Sequence, residues 1–588
     1  FGAFGSAPRA NTPAEAGYPL PIGPKQTFAA TPFDAGMIAD RLADSSLPAA
    51  QRAHDESGLA SGALLYPLQM AAGQSVRVFV QIPMTGPAEA DQFQLGVEEW
   101  FRLVRTKTAD EWRERLGRVA LRLPPAAQPL ADTLRTALAH ILINRDGAAI
   151  RPGTRSYARS WIRDGAMTSD ALLRLGRDDV ARDYLHWYAP YQFKNGKVPC
   201  CVDQRGSDPV PENDSHGELI HLVDAVYRYT GDRALLEAMW PHVESAARYM
   251  DELRTSERTA ANHNGERAAF YGLMPASISH EGYSAKPMHS YWDDFWALTG
   301  YKDAVDIATA LGKPDDARRL AASRDQFRAD LYASIRTAVA DRHIDYLPGS
   351  AELGDFDATS TTIALSPAGE QANLPQDLLQ QTFERYWKQF VERRDGAQWK
   401  DYTPYEWRTV GTFVRLGWRE RARQAIDFFM HDRRPPGWNQ WAEVVGRDAR
   451  ESRFIGDMPH GWVASDFIRS ALDLFAYERD EDHALVLAAG VPAIWLDGNG
   501  IAVDQLRTPY GKLSYSLRRT GNALHLTIAD TGMRTPPGGF VLAAPGLAAS
   551  GIAHLGHREI AWKDGRVALA RAPVELVIPL EQGHTQAH

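Results

Sequence analysis

The chain has 588 residues, a formal net charge of −9, 44% hydrophobic residues and 24% charged residues. This length and composition are typical of a globular protein with two or three domains. The acidic balance argues against a nucleic-acid-binding protein, which would carry a basic surface. No apolar run approaches the roughly 20 residues that a membrane-spanning helix needs.

The two cysteines and the first residue carry limited information. Cys200 and Cys201 are adjacent, and neighbouring residues rarely meet the geometry of a disulfide. The pair therefore predicts two small buried side chains rather than a disulfide, a redox centre or a zinc site. The chain begins with Phe1 rather than Met, which is compatible with a removed signal peptide and favours a periplasmic or secreted location over a cytoplasmic one.

Residues 1–110 lack long helical periodicity. SVRVFVQIPM alternates as a strand does, and Pro, Gly and Ala are frequent. The segment predicts an N-terminal β-rich domain, followed by a linking helix near EWRERLG.

Residues 111–482 predict about a dozen helices in six pairs. PLADTLRTALAHILINR spaces its Leu, Ala and Ile residues three and four apart, and similar segments continue to WVASDFIRSALDLFAYE. No short repeat is evident, which favours a closed double ring of helices over a solenoid.

From residue 483 the pattern changes to short β-type runs such as GIAVDQL, GKLSYSLRR and ALHLTIA, separated by Gly, Asn and Pro turns. These runs predict a C-terminal β-sandwich over residues 483–588. The predicted fold class is mainly α, with an (α/α)6 barrel flanked by the two β domains.

Every second loop of the helical region is rich in aromatic and charged residues. SYARSWIRDGA, NDSHGEL, SHEGYSAKPMHSYWDD and WNQWAEVV belong to such loops, whereas YTGDRA and VRLGWRE are plain. If successive helices run antiparallel, alternate loops emerge on the same side. The alternation predicts one functional face on which several side chains converge, namely Arg163, Asp164, Asp214, Glu281, Trp399 and Glu443.

Five tryptophans occur beside charged residues in these loops: Trp161, Trp292, Trp399, Trp438 and Trp441. Aromatic faces stack on the C–H surfaces of sugar rings, so these residues together with carboxylates predict a carbohydrate cleft. The alternative is that the aromatic rings only supply buried area.

Cleavage of a glycosidic bond needs two carboxyl groups, one to protonate the leaving oxygen and one to activate water or attack. Glu443 is the candidate base, because it lies between the last two helices, next to Trp441 and close to Trp438. Glu281 is the candidate acid, because an apolar pocket around it would raise its pKa. Asp293, Asp294 and Asp214 are the rival acids.

The remaining polar candidates are expected to bind substrate. Asp164 beside Arg163 is suited to grip a terminal pyranose through two hydroxyl groups. Asp214, His216 and Asp294 are placed in the same substrate-binding set. Asp214, His216 and Glu218 have the spacing of a metal cluster, but they straddle a helix start without a further ligand, so no metal and no cofactor are expected.

Residues 130–480 resemble the glycoside hydrolases with a six-fold α/α barrel, the group around glucoamylases, trehalases and α-glucosidases. The resemblance rests on these motifs and on their order along the chain. SYARSWIRDGA is similar to their tryptophan–x–arginine–aspartate motif, SHEGYS stands where they hold the acid, and QWAEVV stands where they hold the base. The tail WLDGNGIAVDQLRTPYGKLSYSLRRTGNALHLTI resembles the C-terminal β domain of α-L-rhamnosidases.

The resemblance implies hydrolysis of a terminal, α-linked, glucose-like residue of an oligosaccharide or polysaccharide, with inversion, Glu281 as acid and Glu443 as base. Four alternatives stay open. They are a phosphorolytic enzyme using Arg447, Arg450 and Arg453, an α-L-rhamnosidase, a polysaccharide lyase with a Tyr or His base, and a non-catalytic glycan-binding protein.

Overall fold

The computed structural model describes residues 20–22, 27–81, 96–153, 156–448, 450–451, 455–548 and 550–580. The chain divides into two compact units, Phe1–Arg115 and Leu116–His588. In the described ranges no helix is both long and apolar enough to cross a membrane.

The described part of the first unit contains two pairs of short antiparallel strands and two α-helices. Its elements are β1 (Leu20–Ile22), β2 (Thr27–Thr31), α1 (Ile38–Ala43), β3 (Ser61–Leu65), β4 (Phe79–Gln81) and α2 (Val97–Leu116). Strand β1 pairs with β4, and β2 pairs with β3. The predicted strand SVRVFVQIPM contains β4, and its residues 82–84 lie outside the described ranges. The extent of the β-rich domain stays a prediction.

The described part of the second unit contains twelve α-helices, as the helical periodicity predicts. They are α3 (Gln128–Ile143), α4 (Ile162–Arg174), α5 (Asp178–Tyr188), α6 (Ser215–Thr230), α7 (Arg233–Glu257), α8 (Tyr291–Ala310), α9 (Pro314–Arg342), α10 (Ala358–Thr361), α11 (Gln376–Arg394), α12 (Trp407–Arg415), α13 (Arg419–His431) and α14 (Gly461–Asp473). Helix α10 is a single turn that continues as a 3-10 helix over Thr362–Ala364.

Even-numbered and odd-numbered helices differ in burial. Every residue of α14 is buried, which is expected of a helix surrounded by other elements. Helix α9 instead buries one stripe, spaced at three and four residues, that includes Leu320, Phe327, Leu331 and Ile335. Its remaining faces are polar, so α9 covers the others from outside.

The even-numbered helices contact one another in chain order. Helix α4 packs on α6, α6 on α8, α8 on α10, α10 on α12, α12 on α14, and α14 on α4. Each also contacts the odd-numbered helix that follows it in the chain, or α3 in the case of α14, and α6 and α8 contact the preceding odd-numbered helix as well.

Four of the five connections that lead from an even-numbered helix of the second unit to the next odd-numbered helix are tight turns, and the fifth, from α10 to α11, runs through residues 362–375. Gly231 closes α6 with φ 68°, and Asp232 accepts a hydrogen bond from the Leu235 N–H to begin α7. Gly312 has φ 71° between α8 and α9, and Pro314 opens α9. Glycine adopts this left-handed backbone without strain. The longer, residue-rich connections are therefore those that lead into the even-numbered helices.

The remaining strands form two larger sheets and two small ones. The strands are β5 (Ala120–Arg122), β6 (Ser160–Trp161), β7 (Cys201–Asp203), β8 (Gly206–Ser207), β9 (Asp401–Tyr402), β10 (Val445–Gly446), β11 (Ala476–Arg479), β12 (Ala484–Leu487), β13 (Ile501–Thr508), β14 (Gly511–Thr520), β15 (Ala523–Ile528), β16 (Phe540–Leu542), β17 (Ser550–Leu555), β18 (Arg558–Lys563), β19 (Val567–Leu569) and β20 (Val574–Pro579). The orders are β18-β17-β20-β15-β14-β13-β5 and β11-β12-β16-β19, and β6-β7-β8 and β9-β10 lie in the rich loops. Alternate residues of β20 are buried, so one face of its sheet joins the core.

Candidate active site

A cavity of about 470 Å³ lies where the first turns of α4, α10, α12 and α14 meet the rich loops. Arg163, Asp164, Glu281 and Glu443 line it, together with Trp161. Four of the six side chains that the alternation of the loops predicts to converge therefore meet at one site, whereas Asp214 and Trp399 do not line it.

Arg163 and Asp164 lie in the first turn of α4 and are 3% and 2% exposed. The Arg163 guanidinium donates from Nη1 to Glu212 Oε2 at 2.6 Å, and the same nitrogen is 3.7 Å from Asp214 Oδ2. Its Nε is 3.7 Å from Asp164 Oδ2. Carboxylates behind the cavity thus hold the guanidinium in one position beside Asp164.

Asp164 combines deep burial with unused hydrogen-bonding capacity. Burial raises its pKa to about 7 although Arg163 acts in the opposite direction, and the charges of Glu281 and Glu443 add to the rise. No hydrogen bond from the described residues reaches its carboxylate oxygens, and its ion-pair contact is with Arg163. These oxygens are available to accept hydrogen bonds from sugar hydroxyls.

Glu443 is held by two tyrosines. The Tyr157 hydroxyl donates a short hydrogen bond to Glu443 Oε1, and the Tyr405 hydroxyl donates to the same oxygen at 3.4 Å. Burial raises the pKa of Glu443, the Tyr157 hydrogen bond lowers it, and the nearby charges of Asp457 and Glu281 raise it again. The second carboxylate oxygen receives no hydrogen bond from the described residues, so it can contact a water molecule or a substrate.

Glu281 lies on a tightly constrained turn at the edge of the cavity. Its φ is 67°, and that of Ser279 is 54°, a backbone region that non-glycine residues rarely adopt. The hydroxyls of Ser277 and Ser279 each donate to Asp293 at 2.6 Å, which ties the turn to α8. The expected apolar pocket around Glu281 is not found: the turn leaves Glu281 exposed.

Neither of the rival acids Asp293 and Asp294 lines the cavity, and both are fully buried at the start of α8. Asp293 supports the turn that carries Glu281. Asp294 accepts a hydrogen bond from the Met274 N–H at 2.9 Å, and burial raises its pKa to about 8. Both carboxyl groups thus hold loop segments in place, and the assignment of Asp294 to substrate binding stays a prediction.

Asp214 and Trp292 form a layer behind the cavity. The Trp292 indole N–H donates to Asp214 Oδ2 at 2.8 Å, and both residues are buried. The Arg408 guanidinium contacts the rings of both Trp292 and Trp462, at 5.2 Å and 5.3 Å from their centroids. Because Trp462 and Arg408 line the cavity, the buried layer fixes the position of groups that substrate can reach.

Four further candidates lie away from the cavity lining. His216 is fully buried, accepts a hydrogen bond from the Val198 N–H at 3.1 Å, and has its pKa lowered to about 3 by burial. The buried Trp441 donates from its indole to the Phe429 carbonyl at 2.7 Å. Trp399 packs on Tyr402, and Trp438 is 54% exposed. Their assignment to substrate binding stays a prediction.

Several residues that line the cavity were not among the predicted site residues, namely Tyr157, His280, Tyr405, Arg408, His460 and Trp462. His460 is the most informative: its Nδ1 accepts a hydrogen bond from the Val463 N–H at 3.4 Å, so the proton of the neutral ring is on Nε2. Burial lowers its pKa to about 3, and Nε2 is buried without a hydrogen-bond partner among the described residues. It offers a hydrogen-bond donor to substrate. The signal was the MPHGW segment of the last rich loop.

In the described residues, one group of three His, Cys, Asp or Glu side chains has its ligand atoms within 4.8 Å of one another: Cys200, Cys201 and Asp208. The Arg159 guanidinium donates to Cys201 Sγ at 3.2 Å and to Asp208 at 3.0 Å. Its positive charge occupies the space among these groups, so they do not fit a metal ion.

No protein-family model matches the chain, and no curated protein matches it in sequence. Two solved structures share its fold. The α-L-rhamnosidase from Dictyoglumus thermophilum matches with a TM-score of 0.51 and 13% identity, over 79% of this chain and 49% of that one. The GH78 family rhamnosidase of Bacillus sp. GL1 matches with a TM-score of 0.50 and 11% identity, over 69% of this chain and 40% of that one.

The present chain thus spans about half the length of these two structures, or less. Their identities are low, so the likeness concerns the fold. At that level the resemblance to α/α-barrel glycoside hydrolases is confirmed.

Proposed function

We propose that the protein is a glycoside hydrolase that releases a terminal sugar from an oligosaccharide or polysaccharide. The observation that carries this proposal is that Glu281 and Glu443 line one cavity with the pair Arg163 and Asp164. Two carboxyl groups facing a common space are what hydrolysis of a glycosidic bond requires. The fold shared with two rhamnosidases agrees with this chemistry.

The proposed architecture is an (α/α)6 barrel in which the even-numbered helices form the inner ring and the odd-numbered helices the outer ring. The succession of contacts from α4 to α14 and back to α4 supports a closed inner ring. The C-terminal sheets would form a β-sandwich, and residues 1–110 a separate β-rich domain.

In the proposed inverting reaction, Glu281 protonates the leaving oxygen while Glu443 removes a proton from the attacking water. Such a water needs space, so the two carboxyl groups should be about 6.5–9.5 Å apart in the complex with substrate. Hydrogen bonds from Tyr157 and Tyr405 favour the ionised form of Glu443 that a base needs. Exposure of Glu281 suits a leaving group that departs toward solvent.

One observation favours the reverse assignment, in which Glu443 is the acid and Glu281 the base. Burial raises the pKa of Glu443, and a general acid must hold its proton at the working pH. Variants of the two residues on substrates with good and poor leaving groups distinguish the two assignments.

Exo-action is proposed because the buried pair Arg163 and Asp164 lines the cavity and is suited to grip one terminal pyranose. The proposed substrate carries a terminal α-linked, glucose-like residue. Terminal α-L-rhamnose is the second candidate, because two of the structures that share the fold are rhamnosidases.

Phosphorolysis receives no support from the charges around the cavity. Arg447 donates to Gln398 and, like Arg450, does not line the cavity, while Arg453 lies outside the described ranges. The arginines that do line it are neutralised: Arg163 by Glu212 and Arg408 by an ion pair with Asp466 at 2.9 Å. A phosphate would have to compete with these carboxylates.

A lyase mechanism is also disfavoured. A tyrosine base must lose its proton readily, whereas burial raises the pKa of both Tyr157 and Tyr405, and the neighbouring Glu443 raises them further. His460 is neutral, but its available nitrogen is the one that carries the proton.

The test is a panel of aryl glycosides that includes the α-D-glucoside and the α-L-rhamnoside, each with and without inorganic phosphate. Proton NMR of the first product identifies retention or inversion. The Glu281→Gln/Glu443→Gln double variant is the matched control for contaminating activity. Tight binding of oligosaccharides without turnover of any glycoside would instead identify a glycan-binding protein.

A further inference from the structure

Cys200 and Cys201 lie side by side behind the wall of the candidate active site. They are 2% and 1% exposed, and their Sγ atoms are 3.2 Å apart. With Trp161 and Tyr157 they form a small cluster separate from the main core. Trp161 and Tyr157 both line the cavity, so the sulfur atoms lie one layer away from it.

The surroundings of the pair make its two sulfur atoms unequal. The Arg159 guanidinium donates to Cys201 Sγ at 3.2 Å and is also paired with Asp203 and Asp208. The Cys200 thiol lies against the same sulfur, and together these two groups lower the pKa of Cys201. Thiolates are the reactive form of cysteine, which makes Cys201 the nucleophile and Cys200 the resolving thiol.

We propose that Cys200 and Cys201 are an oxidation site at which a reversible vicinal disulfide forms. A disulfide holds its sulfur atoms about 2.05 Å apart, so the present gap has to close by about 1 Å. Neighbouring Cα atoms are about 3.8 Å apart, less than the usual separation of about 4.4–6.8 Å, which argues against the bond from sequence alone. In the folded protein, however, the two Sγ atoms already lie 3.2 Å apart, so the side chains point toward each other as the bond requires.

The burial of the pair selects the class of oxidant. A peptide disulfide is too large to reach sulfur atoms that are 2% exposed or less, whereas hydrogen peroxide is similar in size to water. The Cys201 thiolate attacks a peroxide oxygen, which breaks the O–O bond and gives a sulfenic acid and hydroxide. The Cys200 sulfur then attacks the Cys201 sulfur, the S–O bond breaks, and the Cys200 proton leaves with the departing oxygen as water. Two thiols and one peroxide thus give one disulfide and two waters.

The bond would act on the cavity through a short β-sheet. Trp161 in β6 pairs with Cys201 in β7, and the Ile162 N–H donates to the Cys200 carbonyl at 3.1 Å. Residues 163 and 164 follow directly in α4. Drawing the sulfurs together moves the Cys201 sulfur that Arg159 contacts and displaces the strand beside Trp161. This effect on substrate binding rests on the proposed function, whereas formation of the bond does not.

The first experiment reads the bond without any activity. Trypsin cleavage after Lys197 and Arg205 releases VPCCVDQR, which contains both cysteines and no methionine. After peroxide treatment of the folded protein, this peptide should be about 2 Da lighter and resist alkylation, and dithiothreitol should restore both thiols. Oxidised glutathione should act at least about tenfold more slowly, because it cannot reach the buried pair.

Single variants test the order of events. Cys200→Ser keeps the nucleophile and should stop at the sulfenic acid, about 16 Da heavier, whereas Cys201→Ser should react far more slowly. A wild-type peptide that keeps both thiols after peroxide treatment, or that gains oxygen without losing hydrogen, would overturn the proposal. This measurement uses the wild-type protein, so it does not depend on whether a variant folds.

Activity gives the second reading. Peroxide should raise KM for a cleavable glycoside in the wild type, reversibly with dithiothreitol, and leave KM of Cys200→Ser/Cys201→Ser unchanged. If the disulfide forms but no glycoside is cleaved in either state, the proposed function fails and the oxidation site stands. If glycosides are cleaved but the peptide keeps its thiols, the oxidation site fails alone. An unchanged KM in a fully oxidised wild type would refute the coupling to the cavity.

Discussion

Replacing Asp164 with Asn removes one buried negative charge from the cavity and leaves the size of the side chain almost unchanged. Asp164 is 2% exposed, and burial raises its pKa from 3.8 to about 7. The folded state therefore binds this proton more tightly than the unfolded state does. Its contribution to the free energy of unfolding falls as pH rises from about 4 to about 7.

The size of both effects follows from these values. Each unit of pKa difference corresponds to about 1.4 kcal/mol, so between pH 5 and pH 8 the wild type loses about 2–3 kcal/mol that Asp164→Asn does not lose. Hydrogen bonds from sugar hydroxyls to a carboxylate contribute about 1.5–3 kcal/mol each. Because Asn keeps one acceptor oxygen, loss of one such bond in the transition state lowers kcat/KM roughly 10- to 200-fold.

Urea unfolding at pH 5 and pH 8, together with kcat/KM on an aryl glycoside, measures both effects. Asp170→Asn is the matched control, because Asp170 also lies on α4 but does not line the cavity. Burial raises the pKa of Asp170, but His221 outweighs burial and holds that pKa below its ordinary value. Asp170→Asn should therefore lose stability near neutral pH with normal kcat/KM.

Relative to the wild type, Asp164→Asn should thus gain stability as pH rises. Its kcat/KM should be lower than that of the wild type. A variant with wild-type kcat/KM would remove Asp164 from the substrate site. Equal pH dependence of stability in the wild type and Asp164→Asn would show that the buried carboxyl does not ionise as argued.

Three further predictions concern the catalytic pair and a buried histidine. Glu281→Gln should lose activity on substrates with poor leaving groups but keep part of it on activated aryl glycosides. Glu443→Gln should be inactive on both kinds of substrate and recover partly with azide. Losses of about 100- to 10,000-fold are expected, and the opposite pattern would exchange the roles of the two residues. Tyr157→Phe removes a hydrogen bond that lowers the pKa of Glu443, so the acid limb of the pH–kcat/KM profile should move to higher pH, and an unmoved limb would show that Glu443 is not the titrating base. Burial lowers the pKa of His289, but Glu257 and Glu352 outweigh burial and raise that pKa to about 9. Protonated His289 therefore contributes fully to the free energy of unfolding below about pH 6.5, and this contribution is lost as pH rises through about 9. In urea unfolding, the difference in stability between the wild type and His289→Phe should shrink over that range.

Much of the secondary structure was predictable because it depends on local patterns. Apolar residues at three- and four-residue spacing indicated the twelve helices of the second unit, and the short β-type runs predicted after residue 483 correspond to strands β13 to β16 and β18 to β20, while β17 was missed. The alternation of plain and rich loops has an equally local cause. Turns with Gly231 or Gly312 need few residues, and the loops at the other end are free to carry functional groups.

The alternation also identified four residues that do meet at the cavity: Arg163, Asp164, Glu281 and Glu443. It could not separate lining residues from the layer behind them. Trp292 and Trp462 are both aromatic residues near the start of a helix, yet Trp292 is turned toward Asp214 whereas Trp462 lines the cavity. Neighbouring helices decide which way a side chain in a first turn points, and this information is absent from a local pattern.

The sequence by itself determined that the chain forms paired helices followed by β-strands, and that one end of the helices carries the carboxylates and aromatic residues. Only the tertiary structure decided that Asp293 supports the Glu281 turn, that His460 presents a buried N–H, and that two thiols approach within 3.2 Å. These properties depend on distances between segments and on the exclusion of water. Periodicity is set by neighbours along the chain, whereas burial, pKa and contact are set by neighbours in space.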